Sequence, residues 1–210
     1  MKRDDVMKDL MAFMTSVSVA YRNEKEFRDD MSLYFQKLGY IVHVEYPVPM
    51  SQNVKGHRSF IFVDLVLEKG GDFFPIELKY KTKALSEPQG LTIFNNPNIP
   101  VQLIQDSATN DNCFSIWKDV QRIETLASTF STIPGCTAVL TNDSLYWRGS
   151  RPTALYNIIA VKDGTTMPAC PNGIIYKGAT TASNPLILKN SYPVNWKNTS
   201  REDFRFLVLG

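Results

Sequence analysis

Apolar residues recur along this chain with two different periods, and the switches between them mark out its elements. Val6, Leu10, Phe13, Met14 and Val17 hold helical spacing, which predicts a moderately amphipathic helix over residues 4–20. A second helix is better marked. Asn23 stands as its N-cap with Glu26 three residues on as a capping-box partner, and Phe27, Met31, Tyr34, Phe35 and Leu38 form one apolar stripe that Gly39 ends. From Tyr40 to Val48 the period shortens to two among β-branched and aromatic residues, which predicts a strand. Phe60 to Lys83 (FIFVDLVLEKGGDFFPIELKYKTK) is then two apolar runs joined by Gly70-Gly71.

Each of those runs holds charge where a core strand should have none. Asp64 interrupts the first, and Glu77 and Lys79 interrupt the second. A two-residue Gly-Gly loop closes a hairpin readily because both glycines accept positive φ. Counting outward from it pairs 69 with 72 and brings Asp64 opposite Glu77, their Cβ atoms about 5 Å apart, with Lys79 following on the same face. Pro75 lies inside the second strand and cannot donate to a ladder, so it predicts an edge, a bulge or a register shift there.

Two glutamates open the second helix. At about 100° per residue, Glu24 falls within roughly 40° of the centre of the apolar stripe and Glu26 about 125° away. Glu26 is explained as a cap facing solvent. Glu24 is aimed at the body of the protein, or sits at the stripe edge where the helix N-terminal dipole favours it.

Beyond Thr82 the pattern dissolves into a polar stretch with Pro88, Pro97 and Pro100, and one short helix around residues 101–108. Phe114–Phe130 is a helix on the spacing of Ile116, Val120, Ile123, Ala127 and Phe130, with Lys118 and Arg122 toward solvent and Asp119 at the flank. Cys136–Leu140 reads as a strand stopped by Asn142-Asp143-Ser144. Tyr156–Val161, 187–189, 194–196 and 204–209 read as further short strands.

Composition narrows the classes. At 210 residues the chain supplies one substantial core and shows no linker, so residues 1–210 are expected to form one domain. A net charge of only +2 means that any polyanion site is a local patch. Lys79, Lys81 and Lys83 make such a patch at a strand end, and Lys55, His57 and Arg58 stand together in a polar loop as further phosphate contacts. Cys113, Cys136 and Cys170 are too scattered for a disulfide scaffold or a zinc site, and no run is apolar enough for a signal core or membrane span, so a reduced, cytoplasmic protein is expected. There is no phosphate-cradling glycine loop, no His-Glu-x-x-His and no nucleophile elbow. His43 is expected to be packed, and Tyr146, Trp147 and Arg148 to be core or a stacking surface.

Two carboxylates about 5 Å apart repel by about 3 kcal/mol at an effective dielectric near 20. One takes up a proton unless a cation compensates. Lys79 offsets one charge; the second, with Glu24 if it joins, calls for another cation, and hard oxygen ligands suit Mg²⁺ or Mn²⁺. Metal, activated water and lysine together describe hydrolysis of a phosphodiester. A blander reading also exists: Glu-x-Lys is a common surface pair on a strand, and an acid in a strand can mark an edge, in which case Asp64 and Glu77 face solvent.

A helix bearing Glu24, a strand, Asp64 in a second strand and Glu77-x-Lys79 in a third resemble the PD-(D/E)xK nuclease superfamily, the restriction-endonuclease-like proteins. The likeness covers about residues 23–83 and more loosely extends through 140. Val63 stands where the pattern has proline, and only Gln102 and Gln105 are candidates for the helper residues that often follow the third strand. The resemblance implies an α/β fold of α+β type: a mixed central sheet flanked by helices, its core at about 23–145, with an elaboration of extra C-terminal strands at about 146–210. It implies that Asp64, Glu77 and the backbone carbonyl of Leu78 hold Mg²⁺ or Mn²⁺, that Lys79 positions the attacking water, and that Glu24 supports metal or water. The expected activity is a metal-dependent endonuclease on DNA, RNA not being excluded, acting as a homodimer through the N-terminal helix. The alternative is an inactive nuclease-fold protein that binds nucleic acid or another protein.

Overall fold

The computed structural model of the chain describes residues 1–49, 60–85, 102–106, 108–130, 132–149, 154–176 and 185–210, with backbone alone for 154–156. Lys55, His57 and Arg58 lie outside the described residues. The elements run α1 (Arg3–Ser16), α2 (Glu24–Lys37), β1 (Ile41–Pro49), β2 (Phe60–Lys69), β3 (Asp72–Lys81), α3 (Thr109–Phe130), β4 (Cys136–Thr141), α4 (Ser144–Arg148), α5 (Ala154–Ile159), β5 (Thr166–Met167), β6 (Tyr192–Pro193), β7 (Lys197–Asn198) and β8 (Arg205–Leu209).

Six strands form one mixed sheet in the order β1-β2-β3-β4-β8-β7, and β5 pairs with β6 alone. Among the described residues only β3 and β4 run parallel. A parallel pair needs a crossover, and α3 lies in the connection that provides it. Helices cover both faces. Leu65, Leu67, Phe74, Ile76, Leu78, Tyr80, Ala138 and Leu140 pack with Val6, Leu10, Phe27, Met31 and Phe35 of α1 and α2. Val139, Leu207 and Leu209 pack on the other face with Ile116, Trp117 and Val120 of α3. The fold is therefore the mixed sheet flanked by helices that was expected, and among the described residues no helix is long and apolar enough to cross a membrane.

Local signals in the first half are met closely. Asn23 Oδ1 accepts the Glu26 N–H at 2.9 Å, while Glu26 Oε2 reaches back to the N–H of Arg22 rather than Asn23. Gly70 and Gly71 take φ of 63° and 81°, and the register runs from Lys69↔Asp72 to Leu65↔Ile76 without a slip. Pro75 needs neither bulge nor shift. Counting from the hydrogen-bonded closing pair places Val66↔Pro75 in a rung where neither residue exchanges N–H bonds across the hairpin. On its other side β4 pairs only from Ile76↔Cys136 onward, so no donor is asked of Pro75 there either. Gly135 fits against it: an added Cβ would lie 2.0 Å from the Pro75 carbonyl oxygen.

The second half departs from its sequence pattern. Residues 102–106 form no helix; Leu103 instead bridges Leu85. Residues 144–148 form a short helix directly after the strand stop expected at 142–144, Asp143 capping it by accepting the Leu145 N–H, and 154–159 form another where a strand was expected over 156–161. Residues 187–189 and 194–196 are not strands. In short apolar runs the period alone does not separate helix from strand, and packing decides. The C-terminal strands are not simply an appendage either, because β8 lies against β4 and completes the central sheet.

Candidate functional site

The hairpin ladder stops one rung before Asp64 meets Glu77. Its last pair is Leu65↔Ile76. Every second residue of β3 turns its N–H toward β2, so Leu78 and Tyr80 have donors on that side with no strand to receive them. Two carboxylates take those donors. Asp64 Oδ2 accepts the Leu78 N–H at 2.8 Å, and Glu24 Oε2, from the first residue of α2, accepts the Tyr80 N–H at 2.8 Å. Glu24 is thus brought to the site, which decides between the two positions its helical angle left open, and Glu26 stays outside it with Arg22.

The splay originates in β1 and β2. Val44↔Leu65 and Tyr46↔Val63 are paired, while Glu45 and Asp64 between them are not, and Glu45 has a φ of 50°. Left-handed backbone at a non-glycine residue is uncommon and costs roughly 1 kcal/mol. The alternation of faces breaks at the same place: Leu65 and Leu67 pack toward α1 and α2, but Val63 joins Val66 on the α3 side with Ile123 and Leu126. That break swings Asp64 onto the Leu78 N–H.

Glu77 and Lys79 point to the α3 face, where α3 meets them with two residues one turn apart. Arg122 Nη1 donates to Glu77 Oε1 at 2.8 Å. Lys79 Nζ lies 2.7 Å from Asp119 Oδ2, and Arg122 Nη2 lies 3.5 Å from Asp119 Oδ1. Arg122 is therefore not simply a solvent-facing residue, since its partly exposed side chain is tied to Glu77 and Asp119, and Asp119 is not at a flank but 2% exposed. Sequence spacing held the signal. On a helical projection Asp119 lies about 60° from Ile116 and about 20° from Leu126, both buried. An acid inside that arc needs a partner from the sheet.

The solvent-facing reading of the acids fails for Glu77, which is 1% exposed. Its burial, with Asp119 and Asp64 adding to the effect and Arg122 opposing it, pushes the Glu77 carboxyl up to about 9. Burial also raises Glu24 and Asp119, against the pull of Lys79. Burial works against the Lys79 ammonium, but Asp119, Glu24 and Asp64 outweigh it and hold its pKa above the ordinary value. Four carboxylates (Glu24, Asp64, Glu77, Asp119) thus share two ion-pairing cations (Lys79, Arg122) and the charge that Lys81 adds at Glu24, and the excess is relieved by a proton or by another cation.

Among the described residues no group of three or more His, Cys, Asp or Glu side chains is gathered so as to hold a metal ion. A site of two carboxylates and a carbonyl is a different set. Asp64, Glu77 and the Leu78 carbonyl are all hard oxygen donors, and the excess negative charge suits a divalent cation, so the donor chemistry fits Mg²⁺ or Mn²⁺.

The other expected contacts are dispersed. Lys81 is the half-buried last residue of β3 and acts on Glu24 through its charge, but Lys83 lies beyond the strand, where Asn142 holds its backbone on both sides. His43 is packed as expected, against the Tyr46 and Phe73 rings, with its side chain 33% exposed and Nε2 2.8 Å from Glu68 Oε2. Tyr146 and Trp147 serve the core, Tyr146 at 1% exposure. Gln102 and Gln105 are exposed. The chain matches no protein-family profile, no curated protein and no solved structure with which it was compared.

Proposed function

We propose that this protein is a divalent-metal-dependent nuclease that hydrolyses phosphodiester bonds in DNA. The observation that carries the reading is the meeting of Glu24, Asp64, Glu77 and Lys79 at the splayed end of one hairpin, with carboxylates in excess of cations. Asp64, Glu77 and the Leu78 carbonyl would hold the ion. When bound, Mg²⁺ or Mn²⁺ supplies Lewis acidity and a lowered pKa for its water. Lys79, held by Asp119, would carry its proton into the site and orient the attacking water. Glu24 ties the start of α2 to β3 and closes the site on that side. Lys81 would give phosphates a basic approach to the strand end, with Lys83 beyond it.

The test is direct. Purified protein is incubated with supercoiled and linear DNA, and with RNA, in Mg²⁺ or Mn²⁺, beside Asp64→Ala. Wild-type protein nicks DNA and the variant does not; nicking that survives Asp64→Ala removes the assignment.

One observation favours a second reading, a nuclease fold that binds without cutting. Arg122 engages Glu77 and Asp119 engages Lys79, so both catalytic candidates already have charged partners. On that reading no divalent ion is taken up at Asp64. A two-fold pair of copies, each cutting one strand, would not join through the apolar side of α1, because Val6, Leu10, Phe13 and Met14 are buried in the chain's own core. Three scattered cysteines suit a reducing, cytoplasmic setting.

A further inference from the structure

We propose, building on the nuclease reading above, that Arg122 is a built-in counter-cation for Glu77 which a divalent ion must displace, so that this ion pair sets how readily the site takes metal. The geometry singles out Arg122 among the two cations. Lys79 is committed to Asp119 at 2.7 Å, and its side chain is only 17% exposed. Arg122 is the cation on Glu77 Oε1 at 2.8 Å, and its side chain is 37% exposed. Its other contact, Nη2 to Asp119 Oδ1, is long at 3.5 Å. Arg122, on a partly exposed side chain, can exchange its Glu77 bond for bonds to water, whereas Glu77 at 1% exposure depends on whichever cation it meets.

Placement strengthens the case. Glu77 is fixed within β3, paired in register with Thr137 of β4, so it stays where it is when its partner leaves. Arg122 hangs from α3, and its departure breaks no backbone bond of the sheet. A divalent ion on Glu77 would bring two further positive charges against the guanidinium in a water-poor place, and like charges there repel strongly. Metal and Arg122 therefore exclude one another at Glu77. The competing reading, a salt bridge that only fastens α3 to the sheet, makes a different statement: removing Arg122 would weaken the fold and leave metal affinity alone.

Calorimetric titration of MnCl₂ into the full chain separates these, using wild type, Arg122→Gln, Arg122→Lys and Asp64→Ala, with a metal-free thermal melt of each. Arg122→Gln is expected to tighten Mn²⁺ binding about tenfold, with Arg122→Lys in between because a lysine keeps the charge but loses the fork spanning Glu77 and Asp119. Equal or weaker binding by Arg122→Gln, while Asp64→Ala abolishes uptake, overturns the inference and leaves the nuclease reading standing. No uptake by any of the proteins removes the metal site, and both fall. Should Arg122→Gln not fold, Arg122→Lys carries the titration. The wild type supplies an independent readout: in ¹⁵N spectra of arginine side chains, with the Arg122 signal identified by its loss in Arg122→Lys, saturating Mg²⁺ is expected to speed exchange of the Arg122 Nε–H with water. An unchanged signal under Asp64-dependent Mg²⁺ binding overturns the inference.

Discussion

Asp64 accepts the backbone N–H of Leu78 at 2.8 Å, one step past the last rung of the hairpin that joins their strands. One side chain thus has two duties, filling the place of a missing strand partner and standing among the acids of the candidate site. The duties separate by substitution. Asp64→Ala leaves a partly buried donor unmet and is expected to lower stability by about 1–3 kcal/mol while abolishing Mn²⁺ uptake. Asp64→Asn keeps an oxygen for Leu78 and should recover most of the stability without recovering the metal. Urea denaturation and calorimetry on the two variants check this. Equal stability of the two would show that the Leu78 bond contributes nothing.

Glu77 gives the molecule a pH signature. Its carboxyl is pushed up to about 9 from an ordinary 4.5, so between those values the folded chain holds a proton that the unfolded chain has lost, and the hydrogen bond from Arg122 becomes a full ion pair as that proton leaves. Stability from this group is present below the ordinary value and falls as pH rises toward about 9, by at most about 1.4 kcal/mol per pH unit. Melting temperatures of wild type and Glu77→Gln across pH 5 to 9 test the sign, since the glutamine variant should show a flatter profile. Metal binding should run the other way, tightening as pH rises and Glu77 ionises.

Lys79 and Asp119 are partners at 2.7 Å with side chains 17% and 4% exposed. Removing one alone strands the other. Lys79→Met is expected to destabilise by about 3 kcal/mol, and adding Asp119→Leu should restore most of it. A double-mutant cycle by chemical denaturation measures the coupling, and additive losses would show that the pair is energetically idle.

Gly135 meets the Pro75 carbonyl so closely that a Cβ would sit 2.0 Å from that oxygen. Gly135→Ala must push β3 and β4 apart at the start of their parallel pairing and should cost about 1–3 kcal/mol, read from a denaturation midpoint. An unchanged midpoint would show that the strands separate freely there.

The hairpin, the three N-terminal strands and the helices α1, α2 and α3 were legible in the chain because their periods are long or their signals local. Gly70-Gly71 specified the turn and with it the register, since a two-residue loop leaves one pairing that keeps each face apolar. Glu24 was legible from its angle on α2. The shorter C-terminal segments were not, because six-residue apolar runs suit helix and strand alike and only packing separated them.

The sequence by itself determined which residues converge: the turn sets the register of Asp64 and Glu77, and the helical angle aims Glu24 at them. Tertiary structure decided what they do on arrival. The skipped rung at Glu45 and Asp64 moved Asp64 from facing Glu77 to the Leu78 N–H, and α3 brought Asp119 and Arg122 against Lys79 and Glu77. Those pairings lie 40 and 45 residues apart along the chain, beyond any local pattern, and arise because buried charges must find partners from whichever element packs over them.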